Sequence, residues 1–373
     1  MLIARSPVRI SFAGGGTDLP AYYERFGGAV LSTSINKYFY TILQKRADAK
    51  IQVISSDLRV VETWRDISKM DVKSSALAIP LAVIKELGRA VSVDLFLASE
   101  IIAGTGLGSS ASVCVGVLKA LSTYLDLPIS KYELAERSFH IARNILAKPV
   151  GKQDEYAAAF GGLNFITFNS DGTASVEPIA LRSDRLRELE SCLMLFFTGV
   201  AHDSWKLLQE QEQSTKKQTG SAVHSLHELR DLAERMREAL VKGDIWTVGD
   251  LLHESWETKK KISSSISNGL IDEAYNLARE NGARGGKIAG AGGGGFLLLF
   301  CEAQYQERVR EALTNLQLRE MAFGFDSQGA QVVVNDPFID GDERCGMRWT
   351  FTPAVVPSAS QPASMRQRLF PTI

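Results

Sequence analysis

Cysteine is scarce and scattered. Cys114, Cys192, Cys301 and Cys345 stand singly with no C-x-x-C pair, a distribution that suits neither a disulfide framework nor a zinc knuckle and fits inert thiols in a reducing compartment. No excess of one charge exists either. The chain sets 42 Lys+Arg against 43 Asp+Glu, a formal net charge of -1, so long-range attraction to nucleic acid or to an anionic membrane is not the basis of its function. Uninterrupted apolar runs such as Phe296–Cys301 fall far short of the roughly 20 residues that a membrane span requires. The opening Met1-Leu-Ile-Ala-Arg-Ser-Pro-Val-Arg9 breaks its apolar residues with charge, which a signal-peptide core does not do. These absences predict a soluble, cytoplasmic protein whose partner is a small molecule, with no nucleic acid and no membrane.

Ordinary globular composition, 45% hydrophobic and 23% charged over 373 residues, predicts two domains with a cleft between them. The first half reads mainly as strands: Val8–Phe12, Ala29–Thr33, Tyr38–Leu43, Ile51–Ile54 and Val91–Phe96. The period then becomes helical over Ser110–Leu125, Tyr132–Leu146 and Gln153–Phe160, before a strand at Gly162–Phe168. The charged stretch Arg182–Glu188 marks the expected crossing, giving domains 1–182 and 183–334. The second opens on the strand Leu193–Phe197 and continues through three polar helices between Asp203 and Lys261, broken at Gly220 and Gly243. A β-loop-β-α-β pattern follows, with Gly286–Ala289, Phe296–Phe300 and a helix to Leu316. Residues 335–373 are rich in Pro and Ser and read as a tail, disordered or extended, unless Trp349 and Phe351 pack it down.

Three stretches carry chemistry. Gly104-Thr-Gly-Leu-Gly-Ser-Ser-Ala111 runs from a strand into an Ala-rich helix. Its glycines let successive N–H groups converge where the helix N-terminus adds positive potential, as a phosphate requires. No Lys-Ser/Thr follows, so this is not a Walker loop; a plain turn capped by Ser109 or Ser110 is the simpler alternative. Gly290-Ala-Gly-Gly-Gly-Gly295 contains G-x-G-x-x-G but precedes the apolar strand Phe296–Phe300, whereas a dinucleotide fingerprint needs a helix there. It reads instead as a loop closely approached by another backbone or by a phosphate loop. The third stretch pairs Pro7-Val-Arg-Ile-Ser-Phe-Ala-Gly-Gly-Gly-Thr-Asp18 with Gly151-Lys-Gln-Asp-Glu-Tyr156. Asp154, Arg9 and the 104–110 loop would supply the base, the cation and the phosphate cradle of phosphoryl transfer.

Pro7-x-Arg9-x-Ser-Phe-x-Gly-Gly-Gly-Thr-Asp18, Gly106-Leu-Gly-Ser-Ser-Ala111 and Lys287-Ile-Ala-Gly-Ala-Gly-Gly-Gly-Gly-Phe296 resemble, in order, the three motifs of the GHMP superfamily of small-molecule kinases. The resemblance runs from about residue 5 to 334. Within the superfamily the chain is similar to D-glycero-D-manno-heptose 7-phosphate kinases, which use ATP to phosphorylate the anomeric hydroxyl. The resemblance implies an α+β, two-domain fold, with a ribosomal-protein-like left-handed βαβ N-terminal half and a ferredoxin-like C-terminal half. It implies Asp154 facing the attacking hydroxyl with Arg9 beside it, and Gly15, Gly16, Thr17 and Asp18 around the sugar phosphate. ATP falls to Gly104, Gly106, Leu107, Gly108, Ser109, Ser110 and Ala111, with Mg²⁺ on Ser110, and Gly290, Gly292, Gly293 and Gly294 form the closing third loop. The oligomeric state stays open, a homodimer included.

Three departures accompany it. Gly15-Gly16 stand where galactokinases carry Glu-His, Ile141-Ala142-Arg143 stand where relatives commonly carry a metal-binding Glu, and Thr198-Gly-Val-Ala-His202 lacks the Arg of close relatives. Another sugar 1-kinase acting on fucose or a related hexose, a nucleotide-binding homologue without catalysis, and a superfamily decarboxylase are the competing readings. His224 with His227, lacking a third ligand, read as a solvated face. Lys259-Lys-Lys261 beside Trp256 reads as a solvated helix end, and Lys152 could either tune Asp154 or meet the sugar phosphate.

Overall fold

The computed structural model describes residues 1–199, 204–216 and 220–336. Cys345, Trp349 and Phe351 of the expected tail, and Val200–His202 of the third departure, lie outside the described residues. Among the described residues no helix is long and apolar enough to cross a membrane.

The chain begins β1 (Leu2–Ala13), α1 (Pro20–Phe26), β2 (Gly28–Lys45), β3 (Ile51–Ser55), β4 (Val60–Trp64), α2 (Ala78–Leu87), β5 (Val93–Ser99) and α3 (Ser109–Tyr124). It continues with α4 (Lys131–His140), α5 (Gln153–Phe160), β6 (Leu163–Phe168), β7 (Ala174–Pro178), α6 (Ser183–Ser191) and β8 (Leu193–Phe197). Then come α7 (Ser204–Lys216), α8 (Gly220–Val241), α9 (Ile245–Lys260), α10 (Gly269–Glu280), β9 (Ala283–Ile288), β10 (Phe296–Cys301), α11 (Ala303–Asn315), β11 (Arg319–Glu320) and β12 (Gln331–Asn335).

The first sheet has eight strands, in the order β12-β1-β2-β5-β3-β4 with β6 and β7 branching from β2. The two strands expected at Ala29–Thr33 and Tyr38–Leu43 are one strand of 18 residues. A register shift between Pro7 and Val8 absorbs Asn36 and Lys37, so the polar interval bulges without ending the ladder. The second sheet runs β11-β8-β10-β9, the strand order of a ferredoxin-like βαββαβ unit. Its faces alternate as the period of two requires: Leu195, Leu298 and Phe300 join a core shared with Ile10, Phe12 and Leu31, while Phe196, Leu297 and Leu299 pack with Trp256, Tyr275 and Leu313. Each such side chain contributes about 1.5–3 kcal/mol of burial. The second half also returns to the first sheet, where β12 pairs antiparallel with β1 through Leu2↔Asn335 and Ile3↔Val334.

Two local differences follow from capping and periodicity. The helix expected over Tyr132–Leu146 is α-helical only to His140, opened by a capping box of Ser130 and Glu133, and then widens into a π-helical turn at Ile141–Ile145. The expected crossing at Arg182–Glu188 is helical: it starts α6, which buries Leu189.

Candidate active site

A cleft of about 650 Å³ gathers residues from both halves of the chain. Arg9, from the buried length of β1, sits at its floor. Its Nε donates to Asp154 Oδ1 at 2.7 Å, and its Nη1 donates to the Gly106 carbonyl at 2.6 Å. The Arg9 N–H also donates to the Leu107 carbonyl at 2.9 Å. Asp154 lies in the first turn of α5, and a Cβ added at Gly108 would come within 3.1 Å of Asp154 Oδ2. Asp154, Arg9 and the 104–111 loop, far apart in sequence, therefore meet at one point.

That loop turns through left-handed backbone at Gly104, Gly106 and Gly108 (φ of 77°, 82° and 80°) and feeds the N-terminus of α3 at Ser109. Gly104, Gly106, Gly108, Ser109, Ser110 and Ala111 line the cleft. Leu107 is fully buried in the core beneath and presents only its backbone. The Ser109 Oγ is buried without a partner, and Ser110 is exposed.

The close approach expected of the 290–295 loop is present. A Cβ at Gly106 would lie 2.4 Å from the Ala289 carbonyl, and one at Gly290 2.6 Å from that of Gly106. Only Gly290 and Ala291 of this loop reach the cleft. Gly292 packs on Ile266 and the Gly293 N–H donates to the Ile266 carbonyl at 2.8 Å, so these two face away, with Gly294 not among the lining residues either.

On the other side of Asp154, Gly15, Gly16 and Asp18 line the cleft. Asp18 accepts from the Gly16 N–H at 2.8 Å and the Gln153 N–H at 3.2 Å. Burial, and then the neighbouring charge of Asp154, raise its pKa against those bonds. Thr17 corrects the expectation of a substrate contact: it is fully buried, its Oγ1 bonded at 2.8 Å to the Gly14 carbonyl and 2.9 Å to that of Ala29, so it pins the loop to β2.

Four residues had no role in the sequence reading. Gln211 of α7 lines the cleft, and its buried Nε2 has no partner among the described residues. Lys148 lies over the Trp205 ring at 3.5 Å. Glu155 borders a small recess together with Ser110 and Ala142. Its Oε2 is buried and unpartnered, and burial, with the charge of Asp154, pushes its pKa well above the ordinary value. Lys259 is also buried and lines the cleft, so the reading of Lys259–Lys261 as a solvated end fails at its first residue. The signal was present: Ile245, Val248, Leu252, Trp256 and Lys259 share one buried helical face.

Lys152 turns away from the cleft and pairs with Glu136 at 2.7 and 2.8 Å and with the Gly172 carbonyl at 2.6 Å. His227 Nδ1 lies 2.6 Å from the Tyr22 hydroxyl, so it is part of the packing and not of a solvated face. Among the described residues no group of three or more His, Cys, Asp or Glu could hold a metal. Magnesium, however, needs only one or two protein ligands when phosphates and water complete its shell. The Ser110 hydroxyl and Glu155, whose Oε2 is unpartnered among the described residues, fit that requirement at one recess.

Comparisons with known proteins identify the family. The GHMP kinases N-terminal domain matches residues 74–162 and the GHMP kinases C-terminal domain residues 236–318. A D-glycero-alpha-D-manno-heptose 7-phosphate kinase of Campylobacter jejuni is 33% identical over 88% of this chain and 97% of its own length. Among solved structures, a D-glycero-D-manno-heptose 1-phosphate kinase from Bacteroides thetaiotaomicron matches with TM-score 0.76 and 29% identity, covering 90% of this chain and 100% of that one. Lactococcus lactis galactokinase complexed with galactose shares the fold at TM-score 0.71 and 19% identity, over 89% of this chain and 94% of its own. The chain belongs to the GHMP kinase family, ATP-dependent enzymes with a two-domain α+β fold.

Proposed function

We propose that this chain transfers the γ-phosphoryl group of ATP to the anomeric hydroxyl of D-glycero-D-manno-heptose 7-phosphate, giving the 1,7-bisphosphate. The observation that carries the reading is Arg9 bridging Asp154 and the Gly106 carbonyl, which aligns a carboxylate with a phosphate loop. The heptose phosphate kinases among its relatives support the choice of sugar. The reaction belongs in the cytoplasm, where ATP is supplied.

Adenine takes an apolar part of the cleft, whose lining includes Leu58, Leu77, Pro80 and Ile101. The phosphates lie along residues 104–111, where converging N–H groups and the α3 N-terminus favour anions. The sugar lies against Gly15, Gly16, Asp18 and Gln211, whose unpartnered Nε2 supplies a donor for a hydroxyl or phosphate oxygen. Asp154 accepts the proton of the anomeric hydroxyl as that oxygen bonds to the γ-phosphorus. The bond from γ-phosphorus to the bridging oxygen breaks, and its electron pair leaves on ADP. Arg9 holds the Asp154 carboxylate in place. Ser110 and Glu155 would hold magnesium, which would supply neutralisation of phosphate charge. The ranges 1–182 and 183–334 serve as the two walls of the cleft, with β12 tying the second back to the first.

A substrate panel tests the reading. ADP release with Mg·ATP is followed for heptose 7-phosphate, free heptose, fucose and galactose. The 7-phosphorylated heptose gives the highest kcat/KM; a higher value for fucose or galactose replaces the heptose with a hexose.

A further inference from the structure

Three lysines are buried among the described residues: Lys152 at 3% exposure, Lys259 at 4% and Lys287 at 2%. An ammonium withdrawn from water is costly unless a carboxylate opposes it. Lys152 has one in Glu136. Lys287 lies outside the cleft and donates to the Phe12 carbonyl at 3.2 Å, a tie between β9 and β1; burial holds its pKa well below the ordinary value.

Lys259 fits neither pattern. It faces the cleft, its Nζ donates to the Gly290 carbonyl, and it forms no ion pair among the described residues. Gly290 packs backbone to backbone on Gly106, whose carbonyl accepts from Arg9 Nη1. Two cations, Arg9 from β1 and Lys259 from α9, thus approach the contact between the phosphate loop and the third loop from different halves of the chain. The other charges facing Lys259 are Asp18, Asp154 and Lys287. An ammonium kept in the cleft with two N–H donors uncommitted is suited to an anion that arrives there.

We propose that Lys259 is a further catalytic residue: its free N–H donors meet the oxygens of the transferred γ-phosphoryl group across from Arg9. The inference rests on the kinase reading above. The transferred group spreads negative charge over its oxygens in the transition state, and a preorganised cation in a water-poor site stabilises that charge strongly. Lys259 moves no proton; it must only stay protonated. Burial first, then the charge of Arg9, pull its pKa down to about 8 against the opposing pull of Asp18 and Asp154. The active form is therefore full below that value and is lost as pH rises through it. Bound phosphates favour the ammonium, so the limb on kcat lies at higher pH than the limb on kcat/KM.

The test compares Lys259→Met and Lys259→Arg with wild type. Met is expected to lower kcat by about 10²-fold or more, with an unchanged melting temperature; Arg, which stays charged, recovers part of the rate and removes the alkaline limb near pH 8. A Met variant within threefold of wild type, or an alkaline limb that persists in the Arg variant, overturns the proposal. A second measurement is independent of sugar turnover. In protein labelled with ¹³C at lysine Cε, the Lys259 signal, assigned by its loss in the Arg variant, titrates near pH 8 and moves to higher pH with bound AMPPNP. A signal indifferent to the nucleotide overturns the proposal even if the kinase reading holds. A responsive signal in a chain that phosphorylates no sugar supports the phosphate contact and removes the kinase reading instead.

Discussion

Arg9 holds Asp154 Oδ1 at 2.7 Å through Nε while the same guanidinium holds the Gly106 carbonyl at 2.6 Å. One rigid fork, drawn from the most buried length of β1, therefore fixes the distance between a carboxylate and a glycine-rich loop that stand 48 residues apart in sequence (154 − 106). Asp154→Asn keeps the shape and removes the proton acceptor, so kcat is expected to fall by about 10²–10⁴ with the fold intact by circular dichroism. A variant within threefold of wild type would take Asp154 out of the mechanism.

Gly15 and Gly16 respond differently to substitution. A Cβ at Gly15 meets only Ser11 Oγ at 3.5 Å, whereas one at Gly16 would lie 2.1 Å from Gln211 Nε2 on a backbone with φ of 102°. Gly15→Glu therefore folds, and places a negative charge beside the sugar's end of the cleft. KM should rise much more for the 7-phosphorylated heptose than for the free sugar, because like charges in a poorly solvated cleft repel strongly. Equal changes in both KM values would show that this loop does not sense the phosphate.

The recess shared by Ser110, Ala142 and Glu155 carries the metal prediction. Glu155→Gln should raise the free Mg²⁺ needed for half-maximal rate and weaken Mn²⁺ binding to the protein–nucleotide complex by electron paramagnetic resonance. Ala142→Glu, adding a second carboxylate, should lower the requirement. Neither variant changing Mn²⁺ affinity would mean that the recess does not face the metal.

Lys152 and Glu136 make a structural prediction. Lys152→Met breaks a pair whose lysine is almost fully buried while Glu136 is 42% exposed, so the loss is modest, about 1–3 kcal/mol by denaturant unfolding. KM for the sugar phosphate stays unchanged. A tenfold rise in that KM without loss of stability would return Lys152 to the substrate site.

Local pattern made much of the fold legible. The helix at Gln153–Phe160 and the strands at Leu193–Phe197 and Phe296–Cys301 follow from periodicity and from the glycines that bound them. A close approach at the 290–295 loop was legible because six small residues before an apolar strand leave room for another backbone. What stayed hidden depends on partners distant in sequence. Nothing near residue 152 points to Glu136, nothing near 155 tells that its Oε2 will be left without a partner among the described residues, and the pairing of Leu2 with Asn335 spans nearly the whole chain. Lys259 is different: it sat on a readable apolar stripe, and the neighbouring Lys260 and Lys261 masked it as part of a charged run.

The most direct test of the central claim is the identity of the product. Heptose 7-phosphate and Mg·ATP are incubated with the protein, and proton-coupled ³¹P NMR is recorded. A transfer assisted by Asp154 to the anomeric oxygen gives a second phosphomonoester signal split by H1, with one ADP formed for each sugar phosphorylated and no inorganic phosphate. ADP accompanied only by inorganic phosphate, or a new phosphate coupled to a proton other than H1, would contradict the account.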